Sequence, residues 1–525
     1  MTSPSLPLAP KPAFALAGLS AVFYVGALPG FDLWPLALVC WAPLLVAMQG
    51  QSVKRATLLA WASGGLMASL GFYWVYGMLR VFSGLPAIAC LPITLLFGAF
   101  HGGRFALLGA LYARASAGGW HPRAAVFLAF IASEQLYPVI FDWYYGNSVY
   151  QIPELTQIAE LGNPILVGVA LLASNVAIAE LVLARRLGQR PSWRAIIALF
   201  SVPLVVAIYG TVRIGQVESD IAAADPVRVG MVQANMGLDA KRKNRKEGVK
   251  RHVALTRQLT AAAKKAGEPL DLVVWAETSI AGPMSEKRAY KYYSQHFSRR
   301  AGVPLIFGAL LQRKVDDARG YVFFNTAILT DARGKVQGRY DKIRLLPFGE
   351  QLPFGDRFPE LYKLSPNTGR FSSGSTLAPF SLGEHKINVH ICYEDILPAF
   401  INGMMQDEPV DLMVNMTNDA WYGDTTEPWG HLAQATFRAI EHRRFLVRST
   451  NSGVSAIVDP LGRIVVSTKP FEQQAVVGEV AFLRPPKTPY ETYGDIPWWL
   501  ASAAAVYMAM IPRRRGAGES TTDES

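Results

Sequence analysis

Cysteine is scarce in this chain, with three in 525 residues. Cys40 and Cys90 fall in apolar, helix-like segments, so Cys392 stands alone in the more polar part, and no disulfide can form there even in an oxidising compartment. The count is too low for a cysteine-based zinc site, and no His-x-x-x-His or comparable ligand cluster replaces it. Charge is thin as well: 17% of residues are charged against 51% hydrophobic, which sets a membrane protein ahead of an ordinary globular one. No internal repeat appears, which sets aside solenoid architectures. What charge there is sums to +11. Nucleic acid is one partner for such an excess; cytoplasmic loops of a membrane protein and anionic lipid headgroups are the others.

Long apolar runs are what the sequence has in quantity. After a short polar and Pro-rich start, about seven fall near 13–29, 32–49, 56–79, 85–112, 124–141, 164–184 and 194–212, and an eighth covers 496–512. Each is close to the ~20 residues a helix needs to cross ~30 Å of hydrocarbon. The first run is not read as a cleavable signal peptide, because its basic n-region is weak and another span follows almost at once. Lys11, Lys54, Arg55, Arg114, Arg123, Arg185, Arg186, Arg190, Arg194 and Arg513 to Arg515 fall in alternate loops, and the loop from Asp142 to Pro164 has no Lys or Arg. The positive-inside rule then puts both termini in the cytoplasm and the block between runs seven and eight outside it, which argues against nucleic acid. Arg104 and Glu134 are charged at apparent membrane depth; an ion pair between helices is preferred there over a substrate contact.

The domain reading is therefore 1–212 for the membrane part, 213–490 for an extracytoplasmic α/β domain, and 491–525 for a last span with a short tail, its Gly516–Ser525 end polar and disordered in type. Within 213–490, strand-like runs cover 227–234, 271–276, 303–311, 322–330, 387–392, 411–416, 453–458 and 475–480, with helical patterns near 247–265, 286–300 and 430–445. Such alternation gives sheets covered by helices.

Three stretches carry the chemistry. Ile387-Asn388-Val389-His390-Ile391-Cys392-Tyr393-Glu394-Asp395 is a β-type run whose polarity changes abruptly after the thiol. Cys392 alone is either a small buried hydrophobe or a nucleophile. Asp271-Leu272-Val273-Val274-Trp275-Ala276-Glu277-Thr278 is a buried-type strand ending in a carboxylate, either a base made more basic by burial beside Trp275 or a solvated group at a sheet edge. Gly338-Arg339-Tyr340-Asp341-Lys342-Ile343-Arg344-Leu345-Leu346-Pro347-Phe348-Gly349-Glu350 offers Lys342, either a cation for an oxyanion or a surface lysine between Arg339 and Arg344.

A Glu, a Lys and a Cys in that chain order resemble the nitrilase (carbon–nitrogen hydrolase) superfamily, and with the apolar runs the chain resembles its apolipoprotein N-acyltransferase branch. Asn415-Met416-Thr417-Asn418-Asp419-Ala420-Trp421-Tyr422-Gly423-Asp424, then His431, Arg438 to Glu441 and Arg448 to Val454, look like the loop, helix and strand that follow the family's nucleophile. The resemblance implies a four-layer αββα nitrilase-like sandwich beside a multi-pass α-helical membrane domain. It implies Glu277 as base, Lys342 and the Tyr393 backbone N–H as oxyanion donors and Cys392 as nucleophile. Glu350 would orient Lys342 or Glu277, and Tyr393 and Glu394 match the pattern after the nucleophile. His431 suggests a Cys/His dyad, but in the family pattern it begins a helix and the base is the Glu. In one place the pattern fails: where the family has a Lys-Trp pair on a substrate arm, this chain has Lys241-Arg242 in a basic run. That run either holds an arm against anionic headgroups or is a solvated loop.

The implied activity is transfer of an acyl chain from a membrane phospholipid, through a thioester on Cys392, to the N-terminal α-amine of a diacylated apolipoprotein. No cofactor and no metal are expected, nor nucleic acid; the expected form is a monomer in the bacterial inner membrane with its catalytic domain in the periplasm. A membrane-tethered nitrilase-type amidase and a non-catalytic lipoprotein-binding membrane protein are the alternatives.

Overall fold

The structure, a computed structural model, describes residues 7–82, 85–237, 244–316, 320–364 and 368–513. Lys241 and Arg242, and with them the substrate-arm reading, lie outside the described residues, as does the tail from 514.

The N-terminal part is helical. Ala87–Ala117, Ala159–Arg186 and Trp193–Ala222 are long and apolar enough to cross a membrane, and Val53–Gly71 with Trp74–Val81, bent by 59°, makes a fourth if the pair is one span. The other apolar runs fall on shorter helices: Pro10–Ala27, Ala42–Met48 after a 3-10 turn, Pro122–Leu136 and Ile496–Met510. Pro35 and Pro43 divide the 32–49 run, and Pro138 falls inside the 124–141 run, whose helix stops at Leu136, because proline has no N–H to continue a helix. The last long helix runs on to Ala222, past the boundary read at 212. Its outer face leaves Ile197, Leu204, Val205, Ile208 and Val212 about 60% exposed, a stripe that water would penalise and hydrocarbon accommodates. Inside the bundle Arg104 meets Glu134 at 2.5 Å and donates to the Trp143 carbonyl at 2.6 Å, so the two intramembrane charges pair with one another.

Thirteen strands are described between the long helix and the last one: β1 (Pro226–Gln233), β2 (Leu272–Trp275), β3 (Ile280–Ser285), β4 (Leu305–Lys314), β5 (Tyr321–Thr330), β6 (Val336–Asp341), β7 (Phe380–Leu382), β8 (His385–Ile391), β9 (Leu412–Thr417), β10 (Leu446–Thr450), β11 (Ala456–Val458), β12 (Ile464–Ser467) and β13 (Gln474–Ala481). They form one sheet in the order β13-β1-β2-β4-β5-β6, with β3 beside β4, and a second in the order β12-β11-β10-β9-β8-β7. Strand alternation assigns the two faces of each. Leu272, Val274, Ile306 and Leu329 join Ile387, Val389 and Ile391 in the core between the sheets. Val273, Trp275, Phe307 and Ile328 face the other way, onto Leu255 and Phe297 of covering helices. Burial on both faces explains the unbroken Leu-Val-Val-Trp of β2. The layers are the expected αββα sandwich.

The helix Glu427–His442 serves both parts. Leu432, Ala435 and Ala439 pack on the second sheet, whereas Ala433, Phe437 and Ile440 pack into the membrane-helix core. A helix apolar on both sides is a buried one. Arg443, just past its end at φ +54, is held in that left-handed conformation by its side chain: it donates to Glu160 at 2.7 Å, to the Gln157 side chain at 2.6 Å and to the Pro460 carbonyl at 2.9 Å. Arg213 and Tyr209 of the long apolar helix bind the same Glu160 carboxylate. Arg443→Ala leaves that carboxylate with Arg213 and Tyr209 alone and should cost about 1–3 kcal/mol. Denaturant unfolding in detergent should show the loss; an unchanged midpoint would mean that the clamp does not couple the two parts.

Candidate active site

The parallel strands β2, β8 and β9 deliver their C-terminal ends to one cavity, and the loop after β6 enters it from the side. Glu277, Lys342, Glu350 and Cys392 line it together, with Asn325, Asn418 and Trp421, around about 270 Å³ of open volume. Four of the six site residues expected from the sequence thus share one cleft. The Tyr393 side chain does not enter it but turns toward the membrane helices, and Glu394 lies behind it.

Cys392 is buried at the strand end with φ +53, a conformation that costs a non-glycine residue strain and turns it sharply out of β8. The turn is fastened by Glu394. One oxygen of its carboxylate accepts from Tyr340 Oη at 2.6 Å and from the backbone N–H groups of Ile343 at 2.8 Å and Arg344 at 2.9 Å. The other accepts from the Ile391 N–H at 2.7 Å. The nucleophile turn is thereby tied to the loop that carries Lys342. Even with four donors, burial pushes the Glu394 carboxyl up to about 7.

Lys342 Nζ lies 2.8 Å from Glu350 and 3.8 Å from Glu277 and is almost fully buried. Burial opposes its charge, but the carboxylates of Glu350 and Glu277 outweigh it, so Lys342 is held ammonium well above the ordinary lysine range. Asn325 bridges the two acids, its amide nitrogen donating to Glu277 at 2.6 Å and to Glu350 at 2.9 Å, while Glu350 also accepts from the Leu346 N–H. Burial, then the charge on Glu277, pushes the Cys392 thiol well up, and Lys342 offsets this in part. The resting nucleophile is therefore a neutral thiol that needs a base. Glu277 is 5% exposed, so the solvated-edge reading does not hold. Its burial does not come from Trp275, which packs on the helices and donates to Thr256. Thr278 also has a positive φ, and Gly308 on β4 leaves room for this turn, since a Cβ there would meet the Thr278 nitrogen.

Behind Cys392 lies a buried charge network. Arg448 on β10 donates to Asp395, to Asn415 at 2.9 Å and to Asp419 at 3.3 Å, and Asn415 in turn donates to the Cys392 carbonyl at 3.3 Å. His431 bonds Asp395 through Nε2 at 2.8 Å and Asp419 through Nδ1 at 3.1 Å. A ring with a carboxylate on each nitrogen is an imidazolium, and it reaches Asp395 and Asp419, not the thiol, so it is no base for Cys392. Asp419, Glu427 and His431 are close enough to hold a cation, but His431 would first have to give up a proton held by Asp419. Gly453 is required beside Asp419, because a Cβ would overlap its carboxylate. Asn325 escaped the sequence reading; its one signal is an amide in the otherwise apolar run of β5. Asp395, Asn415, Asp419 and Arg448 stood in the quoted stretches with no role attached.

Residues 228–484 match the carbon-nitrogen hydrolase family model, and the fold is of that class. Residues 20–177 match the apolipoprotein N-acyltransferase N-terminal domain. Curated proteins named apolipoprotein N-acyltransferase match almost end to end: one from Geobacter metallireducens is 29% identical over 98% of this chain and 97% of its own, and one from Pseudomonas putida is 29% identical over 93% and 94%. Over nearly its whole length the chain is similar to the apolipoprotein N-acyltransferases. Among solved structures, a carbon-nitrogen hydrolase from Helicobacter pylori is 15% identical with a TM-score of 0.36, covering 54% of this chain and 97% of its own.

The state of His431 has a measurable consequence. Burial would lower its pKa and so would Arg448, but Asp395 and Asp419 prevail and push it up to about 10. Its folded value lies above the unfolded value of about 6.5, so its stabilisation is complete below pH 6.5 and drains away as the pH rises toward 10. The stability gap between the parent and His431→Gln, read by unfolding at a series of pH values, should narrow across that window. A gap constant from pH 6 to 10 would contradict a doubly paired imidazolium.

Proposed function

We propose that the protein moves a fatty acyl chain from a membrane phospholipid to the N-terminal α-amine of a diacylglyceryl-cysteine on an apolipoprotein, in two half-reactions through Cys392. Glu277 takes the proton from Sγ as sulfur attacks the acyl ester carbonyl. The tetrahedral oxyanion is met by Lys342 and by the backbone N–H of Tyr393. Lys342 has three N–H donors, and its two carboxylate neighbours leave one for this role. The ester C–O bond breaks, the lysophospholipid oxygen leaves with the proton from Glu277, and a thioester remains. The amine then attacks the thioester, Glu277 accepts its proton and returns it to the departing thiolate. The observation that carries the reading is a neutral, buried thiol on a strained turn, in one cleft with a buried carboxylate already paired to a buried ammonium.

Both substrates keep acyl chains in the bilayer, which is the physical reason for joining a hydrolase-type domain to apolar helices. The proposed setting is the bacterial inner membrane, with seven spans before the catalytic block, one after it, both termini cytoplasmic and the block in the periplasm. Its support is the Arg and Lys distribution of the short loops.

The test measures the halves separately by mass spectrometry: acyl adduct on Cys392 from phospholipid alone, then its decay on adding a lipopeptide amine. Cys392→Ala should form neither adduct nor product, and Cys392→Ser should be nearly inactive. Glu277→Gln should acylate very slowly, through the small thiolate fraction alone. Lys342→Ala should lose roughly 10²–10³ in both halves, since both pass through an oxyanion at the same carbon. Transfer at the parent rate by Cys392→Ala would overturn the nucleophile; a Lys342→Ala loss confined to one half would make Lys342 a substrate-binding group.

A further inference from the structure

A second cavity lies on the far side of the nucleophile turn, between the catalytic domain and the membrane helices. It shares no lining residue with the catalytic cleft; Tyr393 and Tyr422 line it where their neighbours Cys392 and Trp421 line the cleft. Its open volume is about 70 Å³, against about 270 Å³ for the catalytic cleft.

Most of the lining is aromatic or aliphatic, and several of the few polar groups in it are unsatisfied. Asn147 is 2% exposed, and among the described residues neither its amide nitrogen nor its amide oxygen has a hydrogen-bond partner. The Gln434 amide oxygen is likewise buried without one. Such groups are costly to bury without a partner. Asp142 accepts a single hydrogen bond among the described residues, a long one of 3.4 Å from Tyr393 Oη, which also points at the Ile140 carbonyl at 3.3 Å. Arg104 acts on Asp142 from a distance, but among the described residues no cation forms an ion pair with it. Arg104 is held by Glu134 and the Trp143 carbonyl, and His431 by Asp395 and Asp419. Trp74 and Trp143 supply aromatic wall. A carboxylate with no ion pair of its own among the described residues, orphaned amides, the unpartnered Glu427 carboxylate oxygen and aromatic faces fit a compact cation with several N–H donors.

We propose that this cavity is a primary-ammonium site in which Asp142 is the counter-ion and the Asn147 and Gln434 amide oxygens take the remaining N–H groups. The inference deepens the acyl-transfer reading and rests on it for the identity of the ligand. In that reading a primary ammonium comes either from an ethanolamine headgroup on the acyl donor or from the α-ammonium of the acceptor, docked before it loses its proton. Tyr393, bonded to Asp142 and next in sequence to Cys392, connects the site to the nucleophile turn.

Binding without turnover tests it. Full-length Cys392→Ala protein in detergent is titrated by calorimetry with dihexanoyl phospholipids bearing ethanolamine, choline or glycerol heads. It is then titrated with a diacylated lipopeptide carrying a free or an acetylated N-terminus. Adding Asp142→Asn should weaken the ethanolamine lipid about tenfold with the choline and glycerol lipids within twofold, if the donor occupies the site. If the acceptor does, the free-amine lipopeptide weakens about tenfold and its acetylated form does not. Asp142→Glu should restore part of either loss, which separates charge from folding. An Asp142→Asn effect that is equal for all ligands, or absent, overturns the ammonium site. Failure of the acyl-transfer reading would show differently, as a parent enzyme that forms no adduct on Cys392 from any donor.

Discussion

The site depends on one buried carboxylate, that of Glu394. Three of its four hydrogen bonds come from the Tyr340–Arg344 stretch and one from the residue before the nucleophile. Cys392 sits in a left-handed conformation that its own side chain does not favour, and Lys342 projects from an irregular loop. Neither position is stable by itself. A charge-assisted tie that satisfies three backbone N–H groups at once offsets the strain of the turn and fixes the loop relative to it. Desolvation is the opposing cost, and it is visible in the raised carboxyl pKa.

Around that tie, charges are arranged in layers. Lys342 is buried between Glu277 and Glu350, and Asn325 keeps the acids oriented. Behind the turn, Arg448 and His431 are set against Asp395 and Asp419. Buried charges of this kind contribute little net stability and are costly to unpair. What they provide is position: the carbonyl of Cys392 is held through Asn415, and Asp419 is held on three sides. The raised thiol then makes catalysis depend on proton transfer to Glu277, not on a resting thiolate.

Much of this was legible in the sequence, for physical reasons. Cys392 and Glu277 stand where apolar strand patterns end, and strand ends are where a parallel sheet presents its chemistry, whereas Lys342 follows the polar, antiparallel β6 and was legible only through the family's Glu-Lys-Cys order. The apolar runs were visible as runs, but not where proline would divide them, nor how far the Trp193–Ala222 helix would continue once it left the apolar stretch. The strand-pattern reading passed over β10, and only the family resemblance marked Arg448 onward as a strand, because Leu-Val-Arg-Ser-Thr does not look buried, although every one of its residues is. Its arginine is tolerable there only because Asp395, Asn415 and Asp419, distant in sequence, converge on it. Asn325 was hidden for the same reason. Pattern reading follows apolar burial, and the parts that escaped it are polar groups whose partners only the tertiary fold brings together.

The join between the two parts follows the same logic at larger scale. One helix buries opposite faces in the sheet core and in the membrane-helix core, and Arg443 closes its end onto Glu160. The most direct measurement on the whole arrangement is acyl-adduct formation on Cys392 in Glu394→Gln, an isosteric change that replaces one accepting oxygen by an NH₂ facing N–H or O–H donors. The expected result is a protein that still folds, by circular dichroism, while adduct formation from phospholipid falls by roughly 10² or more, the scale of a displaced oxyanion donor. Adduct formation at the parent rate in a folded Glu394→Gln protein would show that the carboxylate tie does not position the nucleophile.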